Sequence, residues 1–418
     1  MITVEKVLEK INNGEFDEAK RHINTIKNSG LEDDIFVLAE NLAGMGFLEE
    51  AIPLYEQLLA VHPDEGELLM SLAEIYVELD REDEALELLK KVKKNDPVYP
   101  GALLLEADLY ALNGLDEVAY GKLKEAKRMM PDEKLIDFAL GEQCYAQGSF
   151  SEAINYYMIV LEESEELSGI SINQRIAEAY ANLGKFEEAL PYYEKALAQK
   201  TELNTLFEYG LTAFQAGEYK LAARKLEELK ELDHEFHSLY IYLASSYEHL
   251  EELEKAYGIL KEGIRQDEFN KELYFKAGKM ALKMNKPEEA VAYMRESLAI
   301  DPGYLEAGMT LSKYFMAEND HENAIELLEG IIEMGEGDPR FDWMLAVCHN
   351  ESENFKKARY YFETAYLTYN KDIEFLKDYG YFLVEEGDSR QAAEIFTKLV
   401  EMDPWNEEYI SMADRLKG

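Results

Sequence analysis

The chain has 418 residues, of which 47% are hydrophobic and 11% aromatic, with 86 acidic against 43 basic side chains and a formal net charge of −43. That apolar share is too large for a disordered chain, and no stretch is apolar for the roughly 18 residues a membrane helix needs. A polyanion of this size is repelled by phosphate backbones and anionic lipid, which argues against nucleic acid and membranes as partners. Two cysteines make no disulfide framework. The opening Met1-Ile2-Thr3-Val4-Glu5-Lys6 lacks the basic flank and apolar stretch of a secretion signal, so a reducing cytoplasm is expected.

A repeat governs the whole sequence. Gly-Glu-Phe-Asp-Glu-Ala ending at Ala19 returns as Gly-Lys-Phe-Glu-Glu-Ala at Ala189 and Asn-Lys-Pro-Glu-Glu-Ala at Ala290. Twelve such alanines anchor it: Ala19, Ala51, Ala85, Ala119, Ala153, Ala189, Ala222, Ala256, Ala290, Ala324, Ala358 and Ala392. Eight of the eleven intervals are 34 residues, and the others are 32, 36 and 33, so the register is not accidental.

Other columns keep the same ruler. Four residues after every anchor stands a large apolar side chain, from Ile23 and Tyr55 to Phe362 and Phe396. Twelve before it, ten of twelve positions are Gly or Ala; five before it, seven are Gly; twelve after it, five are Pro. The i, i+4 spacing puts anchor and large residue on one helix face. The upstream Gly takes the left-handed conformation that ends a helix, and the later Pro stops the next one. Each repeat therefore predicts helix A, a tight turn, helix B and a short loop.

In chain order, the first repeat is atypical, with Val7 in the Gly/Ala column and Lys10 in an aromatic one, as a terminal cap would be. The third is the most regular, with Leu69, Leu72, Ala73, Tyr76, Ala85, Leu89 and Pro97 in their columns. The 36-residue interval contains Glu162-Glu163-Ser164-Glu165-Glu166-Leu167-Ser168-Gly169, an acidic loop without the Pro stop, read as a bend or a mobile loop. Residues 251–300 carry nine basic and ten acidic groups, a near-neutral window in an acidic chain, and hold Lys276, Lys279, Lys283 and Lys286 at helical spacing. Gly335-Glu336-Gly337-Asp338-Pro339 delays its Pro by three residues. Beyond Pro404, residues 406–418 predict one further helix that caps the array of residues 1–405.

No chemistry-bearing constellation emerges. Gly44-Met45-Gly46 lacks the third glycine of a dinucleotide loop and follows no strand, and His321-Glu322 has no second His one turn on. His234 and His237 have no further ligand near them in sequence, and Cys144 and Cys348 fall in or beside apolar columns of A helices. No nucleophile, base and oxyanion stabiliser assemble, so no catalytic residue, cofactor or metal is expected.

The period and the columns resemble the tetratricopeptide repeat (TPR) family over residues 2–405, and the whole chain is similar to cytoplasmic TPR proteins of Bacillus-type bacteria. The resemblance implies an all-α fold, a right-handed solenoid of about twelve helix–turn–helix units with A helices lining a concave groove, and protein binding without catalysis. It further implies that positions 15 and 11 before each anchor face that groove. The first column includes Phe36, Met70, Leu104, Phe138, Phe275, Met309 and Trp343; it is apolar either to hold a ligand or to pack against the next A helix. The second runs Glu40, Glu74, Asp108, Glu142 and Glu178, then turns basic at Lys279 and Lys313. The acidic run is expected to draw a basic or amphipathic segment unless it is only a solvated face. Lys276, Lys279, Lys283 and Lys313, with Phe275, Met309 and Trp343, are expected to dock an acidic one unless neighbouring carboxylates account for them. A scaffold for protein or peptide partners is the leading expectation; a self-associating structural array and a receptor for a small free peptide are the alternatives.

Overall fold

The computed structural model describes residues 3–28 and 31–417. Its helices follow one another in pairs, as the ruler predicts. The chain opens with α1 (Val4–Asn12) and α2 (Phe16–Lys27), then α3 (Glu32–Gly44) and α4 (Leu48–Val61), α5 (Gly66–Glu78) and α6 (Glu82–Leu89). Next come α7 (Tyr99–Leu112) and α8 (Asp116–Met129), then α9 (Lys134–Ala146) and α10 (Phe150–Leu161). A hairpin of β1 (Glu166–Leu167) and β2 (Ile170–Ser171) precedes α11 (Ile172–Asn182) and α12 (Phe186–Gln199). The pairs resume with α13 (Leu203–Gln215) and α14 (Tyr219–Leu232), α15 (Leu239–His249) and α16 (Leu253–Gln266), α17 (Lys271–Lys283) and α18 (Pro287–Ile300). The last are α19 (Leu305–Ala317) and α20 (His321–Glu333), α21 (Pro339–Glu351) and α22 (Phe355–Tyr369), α23 (Ile373–Glu385) and α24 (Ser389–Met402), and finally α25 (Glu407–Lys417). Two compact units divide the chain, residues 1–205 and 206–418, and no repeat column marks the division.

The columns acquire their physical reasons here. All twelve anchor alanines are at most 2% exposed, and every large residue four positions on is buried. The Gly/Ala column twelve before the anchor packs directly on that large residue. A Cβ at Gly141 would sit 2.6 Å from the Tyr157 ring, at Gly210 2.7 Å from Leu226, and at Gly278 2.7 Å from Met294. Such approaches are closer than packed carbon atoms tolerate, so small residues at this column are required by the bulk opposite.

The turn column is more uniform in structure than in sequence. All twelve residues five before the anchors have positive φ, including the non-glycines Asp80 (56°), Glu251 (62°), Asn285 (56°), Asn319 (57°) and Glu353 (56°). The amide that follows this residue closes each A helix in the same way, donating to the carbonyl five residues back; Phe47 N–H donates to the Leu42 carbonyl at 2.8 Å, and Glu252 N–H to the Tyr247 carbonyl at 2.9 Å. Asn and Asp tolerate the left-handed region, whereas Glu gains nothing there. Glu251→Gly and Glu353→Gly should therefore each stabilise by about 0.5–1 kcal/mol, after the added freedom of the unfolded chain is discounted. Denaturation of the single and double variants checks this; a destabilised double variant would refute it.

Tyrosines tie consecutive repeats together. The Tyr76 hydroxyl donates to Glu56 (3.4 Å) and that of Tyr247 to Glu227 (2.6 Å), each carboxylate lying on the preceding B helix. His349 takes the same place beside Glu329 at 3.4 Å, which Lys357 also reaches at 2.7 Å. Two carboxylates go deeper. Glu106 is 3% exposed and pairs with Lys122 at 2.6 Å, and Asp137, fully buried, pairs with Lys127 at 2.7 Å. At the chain's end, α25 buries Tyr409 and Ala413 and packs on α24, as a capping helix should.

The acidic segment of residues 162–169 includes backbone pairing that the repeat columns did not signal. It carries a two-residue hairpin in which Glu166 pairs with Ser171 and Leu167 with Ile170, turning through Ser168 (φ 52°) and Gly169 (φ 79°). Positive φ at both turn residues is the hairpin geometry that matches strand twist, and Ser-Gly is the dipeptide that supplies it here. Ser171 then caps α11 by accepting from the Gln174 amide.

Candidate functional site

The A helices of neighbouring repeats touch one another, α1 with α3 in the first unit and α15 with α17, α19 with α21 and α21 with α23 in the second. The two candidate columns lie on these helices, and they behave differently.

The apolar column packs. Phe138 and Phe275 are buried, and Phe36, Met70, Leu104, Met309 and Trp343 are half-buried against the cores of their units. Phe36 meets Tyr55 edge-on at 6.5 Å and Phe275 meets Tyr304 at 5.2 Å. Trp343 is the most engaged: its indole N–H donates to Asp378 at 3.0 Å, and its ring meets Phe375 at 5.5 Å and Tyr369 at 5.7 Å. Packing within the repeat and against the following one accounts for much of this column's hydrophobicity, and the half-buried members still present an edge.

The charged column divides. Glu40, Glu74 and Asp108 are exposed, and among the described residues none has an ion-pair partner. Loss of solvent pushes the Glu74 and Asp108 carboxyls above their ordinary range, and Glu78 adds repulsion at Glu74. A side chain can touch water and still be crowded by protein on several sides; these carboxylates are partly dehydrated with no cation to offset the cost. Glu142 and Glu178 differ. Both pair with Arg175 at 3.0 Å, Glu142 accepts from the Tyr157 hydroxyl at 2.6 Å, and Glu178 accepts from the Gln174 amide at 2.8 Å. The five acidic positions thus comprise three unmet carboxylates and two neutralised by one arginine. Arg175 was not among the expected site residues, although its place three before Glu178 signals a helical pair.

The lysines divide in the same manner. Lys276 lies 3.8 Å from Glu272, Lys283 pairs with Glu248, and Lys286 lies 3.9 Å from Glu289 with its ammonium over the Tyr257 ring at 4.7 Å. Neighbouring carboxylates therefore account for three of the four. Lys279 and Lys313 remain exposed without an ion pair among the described residues, and the Lys279 ammonium stands 5.5 Å from the centre of the Phe275 ring. A small cleft between α15 and α17 is lined by Ser245, Glu248, Lys276 and Lys279, so adjacent members of the charged column share one surface depression.

Both cysteines are buried, and loss of solvent pushes their thiols up, Cys144 to about 11 and Cys348 to about 12. At neutral pH they are protonated packing residues. His237 faces Asp267 at 4.0 Å, and among the described residues no group of three His, Cys, Asp or Glu could hold a metal ion. No helix among them is long and apolar enough to cross a membrane.

Known proteins align with this architecture. The family model described as YpiA-like, C-terminal tetratricopeptide repeats matches residues 339–406, and the YpiA-like tetratricopeptide repeat model matches 112–165. General tetratricopeptide repeat models match 42–109, 281–348 and 170–200. The TPR repeat-containing protein YpiA of Bacillus subtilis is 40% identical over 405 residues, covering 97% of this chain and 96% of its own. A solved tetratricopeptide repeat protein from Parabacteroides merdae, 17% identical, covers 59% of this chain and 97% of its own with a TM-score of 0.42. YrrB, described as a TPR protein with an unusual peptide-binding site, is 17% identical and covers 44% of this chain and 95% of its own, with a TM-score of 0.39.

Proposed function

Since the chain belongs to the YpiA-like family of tetratricopeptide repeat proteins, we propose that it is a non-enzymatic cytoplasmic scaffold whose A-helix faces hold segments of partner proteins. The observation that carries this reading is the unmet charge beside apolar side chains that, apart from the buried Phe275, are half-buried. In the first unit Glu40, Glu74 and Asp108 stand in register with Phe36, Met70 and Leu104, and in the second Lys279 and Lys313 stand in register with Phe275 and Met309. A face of that kind suits an amphipathic segment, with apolar edges anchoring it and charge choosing its sign. The first unit takes a basic segment and the second an acidic one. Nucleic acid and membranes are not its partners on this reading.

Exposed ion pairs contribute only about 0–1 kcal/mol each, so the charges should act mainly on association rate and fade with salt. Reversing Glu40, Glu74 and Asp108 to Lys should slow capture of a basic partner segment by about tenfold or more at low ionic strength, with the difference shrinking as salt is added. Partners copurified by the wild type and by this variant, compared across a salt series, provide the test. An unchanged set of partners and rates would reduce the acidic column to a solvated face.

A further inference from the structure

The β1–β2 hairpin does more than bridge two repeats. It forms one side of a crevice whose other walls are the first turn of α11, the C-terminal end of α12 and the first turn of α13. Thr205 lines it at 2% exposure, and its hydroxyl has no hydrogen-bond partner. Of the ten buried side-chain nitrogen and oxygen atoms without a partner among the described residues, four fall on Asn173, Arg175 and Thr205. Unmet polarity therefore concentrates in the stretch that surrounds this crevice.

The charges decide what would meet it. Glu166 of β1 lines the crevice, and its carboxylate has no hydrogen bond or ion pair among the described residues. Glu202 lines it as well and holds only the Lys200 ammonium, at 2.6 Å on a side chain that is 76% exposed. Lys200 is itself an indicator: its ammonium is held above the ordinary range by Glu202 first and also by Glu166, so a cation here feels both carboxylates. The two terminal nitrogens of Arg175 are matched by Glu142 and Glu178, so its charge does not oppose an incoming cation, and only its Nε–H is left without an acceptor. The end of α12 adds the negative pole of a helix, with Ala196 and Gln199 on the wall.

We propose that this crevice binds an alkylammonium or guanidinium group, carried on a Lys or Arg side chain of a partner segment, between Glu166 and Glu202 with the Thr205 hydroxyl oxygen as a third acceptor. The site does not rest on the charged A-helix faces, and Lys200 is its competitor: an internal cation that an incoming one displaces into solvent.

Methyl NMR of the full chain tests this, with acetyl-Ala-Lys-Ala-amide, spermidine and acetyl-Ala-Glu-Ala-amide as probes. The lysine peptide should shift the methyls of Ile170, Ala196 and Thr205 saturably. Glu166→Gln, an exposed and structurally mild change, should weaken that binding about tenfold, the loss expected for one charge-assisted hydrogen bond. Lys200→Gln should strengthen it, because Glu202 is then free; an anion site would respond in the opposite sense. Weaker binding by Lys200→Gln, saturation by the glutamate peptide, or no saturable shift with any probe would overturn the proposal. Saturation by spermidine without the lysine peptide would overturn its source, making the ligand a free amine. Lys279→Glu with Lys313→Glu should leave these shifts untouched, which separates a failure here from a failure of the face reading.

Discussion

Replacing Lys127 by Met should destabilise the repeats around α8 and α9 by about 3–5 kcal/mol, the cost of stripping the partner from a buried carboxylate. Asp137 has no exposed surface, Lys127 at 2.7 Å is its ion-pair partner, and the second carboxylate oxygen is already without a hydrogen bond. The other nearby cation, Lys134, already pairs with Glu163 at 3.2 Å. The column holding Asp137 is Leu in four other repeats, at Leu69, Leu103, Leu206 and Leu376, so an apolar residue of that size has precedent at this position. Lys127→Met with Asp137→Leu should therefore recover most of the loss, since well-packed apolar groups commonly replace a buried pair without penalty. Hydrogen exchange at α8 and α9 reads both variants. A double variant as unstable as the single one would show that the loss came from packing and not from the orphaned charge.

Ala85→Leu and Ala290→Leu should each cost about 1–3 kcal/mol by overpacking. Both anchors are essentially without exposed surface, and in the Ala290 repeat the backbone at Gly278 already lies closer to Met294 and to the Ala290 carbonyl than an added methyl allows. In a stack held by neighbour-to-neighbour interfaces the damage stays local at first. Protection against exchange should fall in the altered repeat and its neighbours and persist elsewhere in the same unit. Uniform loss along the unit would mean that its repeats unfold as one body.

How far the sequence can be read depends on how short-ranged the cause is. The helix pairs were legible because each depends on a few columns within one repeat, and Ala85, Leu89 and Pro97 carry their reasons in their own chemistry. The turn column was only partly legible. Glycine marks seven of its twelve positions, while Glu251 and Glu353 adopt the same left-handed turn against their preference because the surrounding packing imposes it. The hairpin at 166–171 was missed although Ser168-Gly169 is a turn dipeptide, since strands of two residues are too short for alternation to show.

The candidate faces divide along the same line. Column position placed Glu40, Glu74, Asp108, Lys279 and Lys313, and the structure leaves all five exposed and unpaired among the described residues. The expected stripe shortens where Arg175 reaches Glu142 of the preceding repeat, a pairing visible only once two A helices lie side by side. Likewise the hydrophobicity of Phe138, Phe275 and Trp343 could not be divided between packing and binding until their neighbours were known. Trp343, held by Asp378 and Phe375, belongs largely to packing.

The most direct measurement of the face reading is a fluorescence titration of Trp343 with an acidic amphipathic peptide. It is best made in a Trp405→Phe background, because Trp405 is 89% exposed and would otherwise obscure the signal. A saturable change that weakens with salt and disappears in Lys279→Glu with Lys313→Glu is the predicted result. Binding by that double variant indistinguishable from the parent would contradict the assignment of this face as the docking surface.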